Sequence, residues 1–485
     1  MYLGLDLGTS ELKALLLDEQ HRIIATAHAP LPLDRPQPRW AEQHPADWWQ
    51  ALESVMTQLQ ARHAPALARV KGIGLSGQMH GAVLLDENDA VLRPAILWND
   101  GRSSAQCAQL AGLPALHEHT GNLAMPGFTA PKLLWVAEHE PQLLARIRRV
   151  LLPKDWLRLQ LSGTACSDMS DASGTLWLNV GRRDWSEAML AATGLDRTQM
   201  PQLVEGSEAS ATLRAGLASR WGLPEGTIIA GGGGDNAATA VGIGAVQPGQ
   251  GFVSLGTSGV IFLVTARFCP NPDRAVHAFC HALPGRWHQM SVMLSAASAV
   301  SWASQALGFA DVPALLEAAA SLPENARQHA PVFLPYLSGE RSPHNDAHAQ
   351  GVLSGLTGSH DRAALAYAVV EGVCMGLRDG LDTLQPPREA LVLSGGGARS
   401  AWWSQLLADV LQVPLVSVAG GDTGAALGAA RLGWLATGGT EAEVCPPTAI
   451  RQQFQPRQAQ RDLLENRLAR YRALYPALKT HFAAA

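Results

Sequence analysis

Asp6-Leu7-Gly8-Thr9-Ser10 ends the first apolar run of the chain, and Ser254-Leu255-Gly256-Thr257-Ser258-Gly259 ends another about half of the 485 residues further on. Each follows a short apolar segment (Tyr2-Leu3-Gly4-Leu5 and Gly251-Phe252-Val253), as a strand entering a tight turn does. A Gly-Thr-Ser turn offers backbone N–H groups and two hydroxyls, donors that suit phosphate oxygens. Two such turns, one per half, point to a duplicated fold that grips a polyphosphate from both sides.

Outward from the first turn, the pattern predicts strands over 2–7, 12–17 and 23–27 and a helix over about 46–61. Further strands are expected over 70–75, 82–85 and 95–98. Residues 103–165 read as largely helical. A short strand over 228–230 leads into a tight turn of glycines at 231–234 and a helix over 236–246. The polar cluster Gln247-Pro248-Gly249-Gln250-Gly251 marks a boundary, giving a first domain over 1–246 and a second over 247–485. The second half opens on short strands around Gly256. It continues with a helix over about 361–380, a strand over 391–393, a glycine turn and another helix. The charged stretch 457–474 reads as an amphipathic surface helix.

Bulk composition agrees with two large domains, since 485 residues are too many for one core. Charged residues are only 16% and glycine is abundant, which favours close helix–sheet packing and many tight turns. A net charge of −5 gives no footing for a nucleic-acid or acidic-membrane partner. The six cysteines are scattered without a C-x-x-C pair, as free thiols in a reducing compartment would be. With no basic leader and no apolar run of spanning length, the expectation is a cytoplasmic protein.

Asp6 is a lone carboxylate in a strand-like apolar run, where Asp is disfavoured. It reads either as a Mg²⁺ ligand, directly or through water, or as an Asp bonding its own turn. The second copy of Gly-Thr-Ser favours the metal. Gly231-Gly-Gly-Gly-Asp235-Asn236 follows a strand and precedes an Ala-rich helix. Asp is a good N-cap, but a cap does not need four preceding glycines, which let a ligand approach the backbone. Asp235 is therefore the candidate to accept a proton from an attacking hydroxyl. Gly77-Gln78-Met79-His80-Gly81 and Trp98-Asn99-Asp100-Gly101-Arg102 carry the polar groups a polyhydroxylated ligand needs, or are surface turns. Ser394-Gly395-Gly396-Gly397-Ala398-Arg399-Ser400 could floor an adenosine ring or be a simple turn.

Other signals mislead. Gly72-Ile73-Gly74-Leu75-Ser76-Gly77 matches G-x-G-x-x-G but does not open a helix, so the dinucleotide context is missing. His277, Cys280, His281 and His288 suggest zinc, yet a packed hairpin ending at Pro284-Gly285 explains them better. No Gly-Lys-Ser/Thr sequence, H-R-D or D-F-G occurs, which excludes a P-loop NTPase and a protein kinase. No G-x-S-x-G elbow occurs either.

Asp6-Leu-Gly-Thr-Ser10, the 231–236 loop, the 254–259 turn and the 394–400 turn occur in the order seen in the FGGY carbohydrate kinases. This resemblance covers essentially the whole chain. Within that family, Gly77–Gly81, Trp98–Arg102, Met125-Pro-Gly-Phe-Thr-Ala-Pro-Lys132, Leu152-Pro-Lys-Asp155 and Phe333-Leu-Pro-Tyr-Leu-Ser-Gly-Glu-Arg341 are similar to members acting on D-xylulose. The resemblance implies an α/β fold of two ribonuclease-H-like domains, of the actin/Hsp70/sugar-kinase ATPase type, flanking a deep cleft. It implies ATP and Mg²⁺ as cofactors, a small sugar as substrate and a homodimer. It also implies that Asp235 is the general base and that Met79, His80, Asn236 and Asp100 touch the sugar. Asp6 would sit by Mg²⁺. Gly8, Thr9, Ser10, Lys13, Gly256, Thr257, Ser258, Gly395, Gly396 and Gly397 would hold ATP and its phosphates. The implied reaction is transfer of a phosphoryl group from ATP to the 5-hydroxyl of D-xylulose. The alternatives are another polyol (ribulose, gluconate, glycerol) or an actin- or Hsp70-like ATPase. Glu11 departs from the family pattern, in which glycine often follows the first Gly-Thr-Ser. It is expected to point to solvent, with Lys13 offsetting it.

Overall fold

The computed structural model describes residues 1–418 and 424–482. The first half is built on strands β1 (Tyr2–Leu7), β2 (Glu11–Leu17), β3 (Ile23–Pro30), β4 (Gly72–Gly77), β5 (Ala209–Thr212) and β6 (Ile228–Ala230). They lie in the order β5-β6-β4-β1-β2-β3, and the two-residue β7 (Gly233–Gly234) also pairs with β4. β1, β4 and β6 are parallel, β1-β2-β3 is an antiparallel meander, and β5 runs antiparallel to β6.

The second half uses β8 (Gly251–Leu255), β9 (Gly259–Thr265), β10 (His277–Cys280), β11 (Trp287–Met293), β12 (Leu391–Ser394), β13 (Leu415–Val418) and β14 (Ile450–Phe454). Their order is β10-β11-β9-β8-β12-β13-β14. β8, β12 and β13 are parallel, β8-β9-β11 is the meander, and β14 runs antiparallel to β13. Strand for strand, β1-β2-β3 corresponds to β8-β9-β11, and β4, β6 and β5 correspond to β12, β13 and β14. The echo of the two turns is a repeat of the strand positions in the sheet, although β5 precedes β6 in the chain whereas β14 follows β13.

β1 is apolar along most of its length because both faces of its sheet are covered. One face receives α1 (Pro45–Leu67), whose Trp48, Leu52, Val55, Met56 and Leu59 recur at helical spacing and are buried against β2 and β3. After the glycine loop comes α2 (Asp235–Ile243). In the second half, α3 (Arg362–Leu381) is buried nearly all round and forms the centre of that core. α4 (Ala401–Leu411) follows β12. The helix α5 (Gly424–Ala436) belongs to the second half by sequence but packs on α2, β4 and β1 of the first. The approach is close. A Cβ on Gly74 would fall 1.8 Å from the Ala429 carbonyl oxygen, and one on Gly428 would fall 1.7 Å from that of Ala238.

Residues 103–165 are less helical than expected. Thr129–His139 and Pro153–Ser162 are helices, but Gly112, Pro114, Gly121 and Pro126 break the stretch before them, and Arg149–Leu151 is a strand. The strand expected over 95–98 is confined to Ala95–Ile96, and Trp98 turns outward. The glycines at 233–234 pair with β4 rather than only turning. All six cysteines are free thiols, and no described helix is long and apolar enough to cross a membrane.

Candidate active site

The carboxyl ends of β1, β4 and β7 lie side by side. Asp6 is opposite Ser76, Leu7 opposite Gly77, and Gly77 opposite Gly234. The turns that follow therefore open on one edge of the sheet, the edge where parallel α/β sheets bind ligands. In the second half Ser254 is opposite Ser394, which delivers residues 256–258 and 395–397 together. Between the halves lies a cavity of about 250 Å³. Asp6, Lys13, Asn236 and Thr239 line it from one side, Ser254, Ser394 and Gly395 from the other, and the first turn of α5 closes it. A cavity of about 730 Å³ adjoins it along the glycine turn, with Gly256, Thr257, Gly396 and Gly397 at its edge and Val312, Leu316, Trp402 and Trp403 in its wall. A third, about 40 Å³, is lined by His80, Trp98, Met125, Gly127, Phe128, His277 and Arg341. Met79, the residue before His80, packs against Gly234, the residue before Asp235: a Cβ on Gly234 would fall 2.8 Å from its Sδ.

Asp235 is the first residue of α2, and the N-cap position is Gly234, so capping does not account for the carboxylate. Its Oδ1 accepts both the backbone N–H of Asn236 at 2.7 Å and the Asn236 side-chain amide at 2.9 Å. Burial and then the neighbouring Asp6 charge push its pKa up to about 6, while the Asn236 bonds pull the other way. The group is still ionised at neutral pH and close enough to it to take a proton. Asp6 has a buried Oδ1 without a hydrogen-bond partner among the described residues. Burial raises its pKa, and Ser76 and Lys13 oppose the rise. An unsatisfied carboxylate oxygen beside a second carboxylate suits a hard divalent cation. Among the described residues no cluster of three acidic, His or Cys side chains exists to cage one. Magnesium binding mainly through water and phosphate oxygens fits that donor set.

The glycine loop is tied at both ends to a buried polar network. Arg158 donates to the Gly231 carbonyl, and the Gly234 N–H donates to Ser170 Oγ at 3.0 Å. Ser170 Oγ in turn donates to Asp168, and Lys154 Nζ lies 2.5 Å from Asp155, 2.7 Å from Asp168 and 3.2 Å from Asp171. All three aspartates and both cations are fully buried. Burial pushes the Asp171 carboxyl well up, and the Lys154 charge opposes the rise. The sequence contains Leu152-Pro-Lys-Asp155, but nothing local shows that it props the loop 80 residues later.

His80 sits at φ +70°, a strained backbone for a non-glycine residue. Two donors hold its carbonyl, Lys132 Nζ at 2.7 Å and Thr129 Oγ1 at 3.1 Å. Burial, then the Lys132 charge, lowers the imidazole pKa to about 3, so the ring is neutral. Its Nδ1 lies 2.7 Å from the Gly174 carbonyl and must carry the proton, leaving the Nε2 lone pair free for a hydroxyl.

Two of the expected contacts meet competing bonds. Asp100 does not line the His80 cavity. Its carboxylate accepts the Ala41 N–H at 2.6 Å and is paired with Arg102 at 2.7 Å, and Arg102 also reaches Glu42. In the first Gly-Thr-Ser turn two of the expected donors are engaged within the first half. The Gly8 N–H closes on the Glu11 carbonyl, and the Thr9 hydroxyl donates to Gln78 and accepts from Trp98 Nε1. Ser10 is exposed. Glu11 does not act on the cavity unopposed, because Lys13 pairs with it at 3.0 Å. In the second turn, Thr257 is exposed to the large cavity, and the Ser258 hydroxyl donates to Leu294. Gly395, at φ +85°, could not carry a side chain without meeting Leu255 at 2.7 Å. A Cβ on Gly397 would strike Trp403 at 2.7 Å, whereas one on Gly396 would meet open space. Phe128, His277 and Arg341 were not singled out as site residues. Two of the three lie in the quoted 125–132 and 333–341 stretches, but sequence cannot bring those together.

Comparison with known proteins places this geometry. Residues 1–242 match the N-terminal domain of the FGGY family of carbohydrate kinases and residues 251–437 its C-terminal domain. The chain is 50% identical to the xylulose kinase of Escherichia coli K12 over 485 residues, 99% of each chain. It is 53% identical to that of Klebsiella pneumoniae over 441 residues, 90% of each. Among solved structures, a "xyloylose kinase" from Brucella ovis superposes with a TM-score of 0.96 at 51% identity, covering 99% of both chains. A xylulose kinase from Rhodospirillum rubrum superposes at 0.92 with 28% identity and the same coverage.

Proposed function

Because this chain belongs to the FGGY family of carbohydrate kinases, we propose that it transfers the γ-phosphoryl group of ATP to the 5-hydroxyl of D-xylulose. The observation that carries the reading is the position of Asp235. It stands at the head of α2, within reach of the Asp6 charge and next to Asn236, which with Asp6 lines the cavity whose far wall is the second half's glycine turns. The sugar lies against Met79, His80 and Asn236, and the nucleotide against residues 256–258 and 395–397, with the adenosine in the larger cavity.

The 5-oxygen forms a bond to the γ-phosphorus, the bond from that phosphorus to the bridging oxygen of ADP breaks, and the hydroxyl proton passes to the Asp235 carboxylate. A loose transition state needs that proton to leave only late, so an acceptor with a pKa near 6 is adequate. Most of the acceleration is positioning, together with neutralisation of phosphate charge. Asp6 would hold Mg²⁺ through water, and the ion would supply part of that neutralisation on the phosphate oxygens. Lys13 and the amide groups of the first turn of α5 face the same cavity and add donors of the right sign. A cytoplasmic homodimer completes the proposal.

The test is ADP release against D-xylulose, D- and L-ribulose, gluconate and glycerol, with and without Mg²⁺. D-xylulose should give the highest kcat/KM, and only with the metal. ADP release indifferent to every polyol would overturn the reading.

A further inference from the structure

We propose that Arg341, aimed by His277, is a specificity-determining contact to the sugar, delivered by the second half of the chain into a pocket otherwise built by the first. This rests on the reading of the His80 cavity as the polyol site. Five residues of that cavity come from the first half, and His277 and Arg341 are the two that do not.

The guanidinium is oriented by a relay of side chains. Asn122 is pinned by its amide to the carbonyls of Thr120 at 2.6 Å and Ala278 at 3.1 Å, which fixes which way its oxygen points. That oxygen faces His277 Nδ1 at 3.4 Å. Burial and the Arg341 charge hold the His277 pKa well below its usual value, so the ring is neutral, with its proton on Nδ1 and a lone pair on Nε2. Arg341 Nη1 donates to that lone pair at 3.4 Å. Phe128 stands nearly perpendicular to both rings, 5.4 Å from His277 and 4.9 Å from His80, and packs against both.

The remaining donors of Arg341 have no carboxylate partner among the described residues. The adjacent Glu340 is turned away, its Oε1 accepting the N–H groups of Leu294 and Arg341 at 2.8 Å each. Burial works against the Arg341 charge. A withdrawn guanidinium with one long bond and five N–H donors is a site for acceptor oxygens. A ketose brings a carbonyl and several hydroxyl oxygens and no charge of its own. His80 Nε2 offers the complementary acceptor, so the two sides of the pocket read donor and acceptor faces of the same sugar.

The experiment is calorimetric titration of D-xylulose, without nucleotide, into wild type, Arg341→Met and Arg341→Lys, with ATP titrated separately. Arg341→Met should raise the sugar Kd at least tenfold and Arg341→Lys by less, since a point charge replaces the planar fork. ATP affinity should stay within twofold. Equal sugar Kd in wild type and either variant, or matched losses of sugar and ATP affinity, would overturn the assignment. If Arg341→Met does not fold, Arg341→Lys decides alone. A wild type that binds gluconate more tightly than D-xylulose would make the guanidinium a carboxylate reader and also overturn it. A wild type that binds no polyol would instead overturn the reading of the cavity itself, and this inference with it.

Discussion

The two Gly-Thr-Ser turns are alike in sequence and in topology, each joining the central strand of its sheet to the next strand of a meander. They differ in what their polar groups face. In the first, the Gly8 N–H and the Thr9 hydroxyl are bonded within their own half, to Glu11, Gln78 and Trp98. In the second, Thr257 stands exposed at the edge of the cavity of about 730 Å³. A duplicated turn has thus diverged. The first copy spends these groups on the loop that presents Gln78, Met79 and His80, while the second leaves Thr257 exposed and, on the proposed reading, open to nucleotide phosphate. The first half should therefore govern chemistry and sugar, and the second should govern ATP.

The largest effect that could break this division is at Asp235. Asp235→Ala should lower kcat by roughly 10²–10⁴ with the KM for ATP little changed. In the wild type, kcat should fall about tenfold per pH unit below pH 6. The sign follows from the raised pKa, because the protonated carboxyl present below about 6 cannot accept the hydroxyl proton. Steady-state kinetics across pH 5–8 check both, and a variant that keeps normal turnover would remove Asp235 from the chemistry. Next is Gly397→Ala, whose Cβ would stand 2.7 Å from Trp403 and 2.8 Å from Leu255. Overpacking of roughly 1–2 kcal/mol should raise the KM for ATP about 5- to 30-fold and leave the sugar KM alone. Equal loss for both substrates would mean that the cavity is not the nucleotide's. The smallest effect sharpens the comparison most. Thr257→Ala should raise the KM for ATP by about fivefold, one hydrogen bond's worth, whereas Thr9→Ala should cost about 1 kcal/mol of stability in denaturant unfolding instead. If both variants act on ATP alike, the turns have not diverged.

Much of this was legible in the sequence because it is local. Short apolar runs ending in turns located β1, β2 and β12 to within a residue and the first part of β8, and the glycines before Asp235 marked a turn leading into α2. What was illegible is tertiary. Asp100 reads as a ligand contact until Arg102 and the Ala41 amide are seen to use it. Thr9 carries the same side chain as Thr257, and only Trp98, distant in sequence, decides its role. Phe128 and Arg341 lie in separate halves, and no periodicity links them. One long-range contact did leave a trace. Glycines at 4, 72 and 74 inside strands weaken them, and the fold uses the vacant space for α5.

That borrowed helix makes the molecule unlike two beads on a string. Severing the backbone between 246 and 247 would strip the first lobe of the covering on β1 and β4, exposing a glycine-lined apolar trough. The other fragment would carry an orphaned apolar helix with nowhere of its own to lie. The pieces should be unstable apart and recover activity when mixed, as a split reporter does.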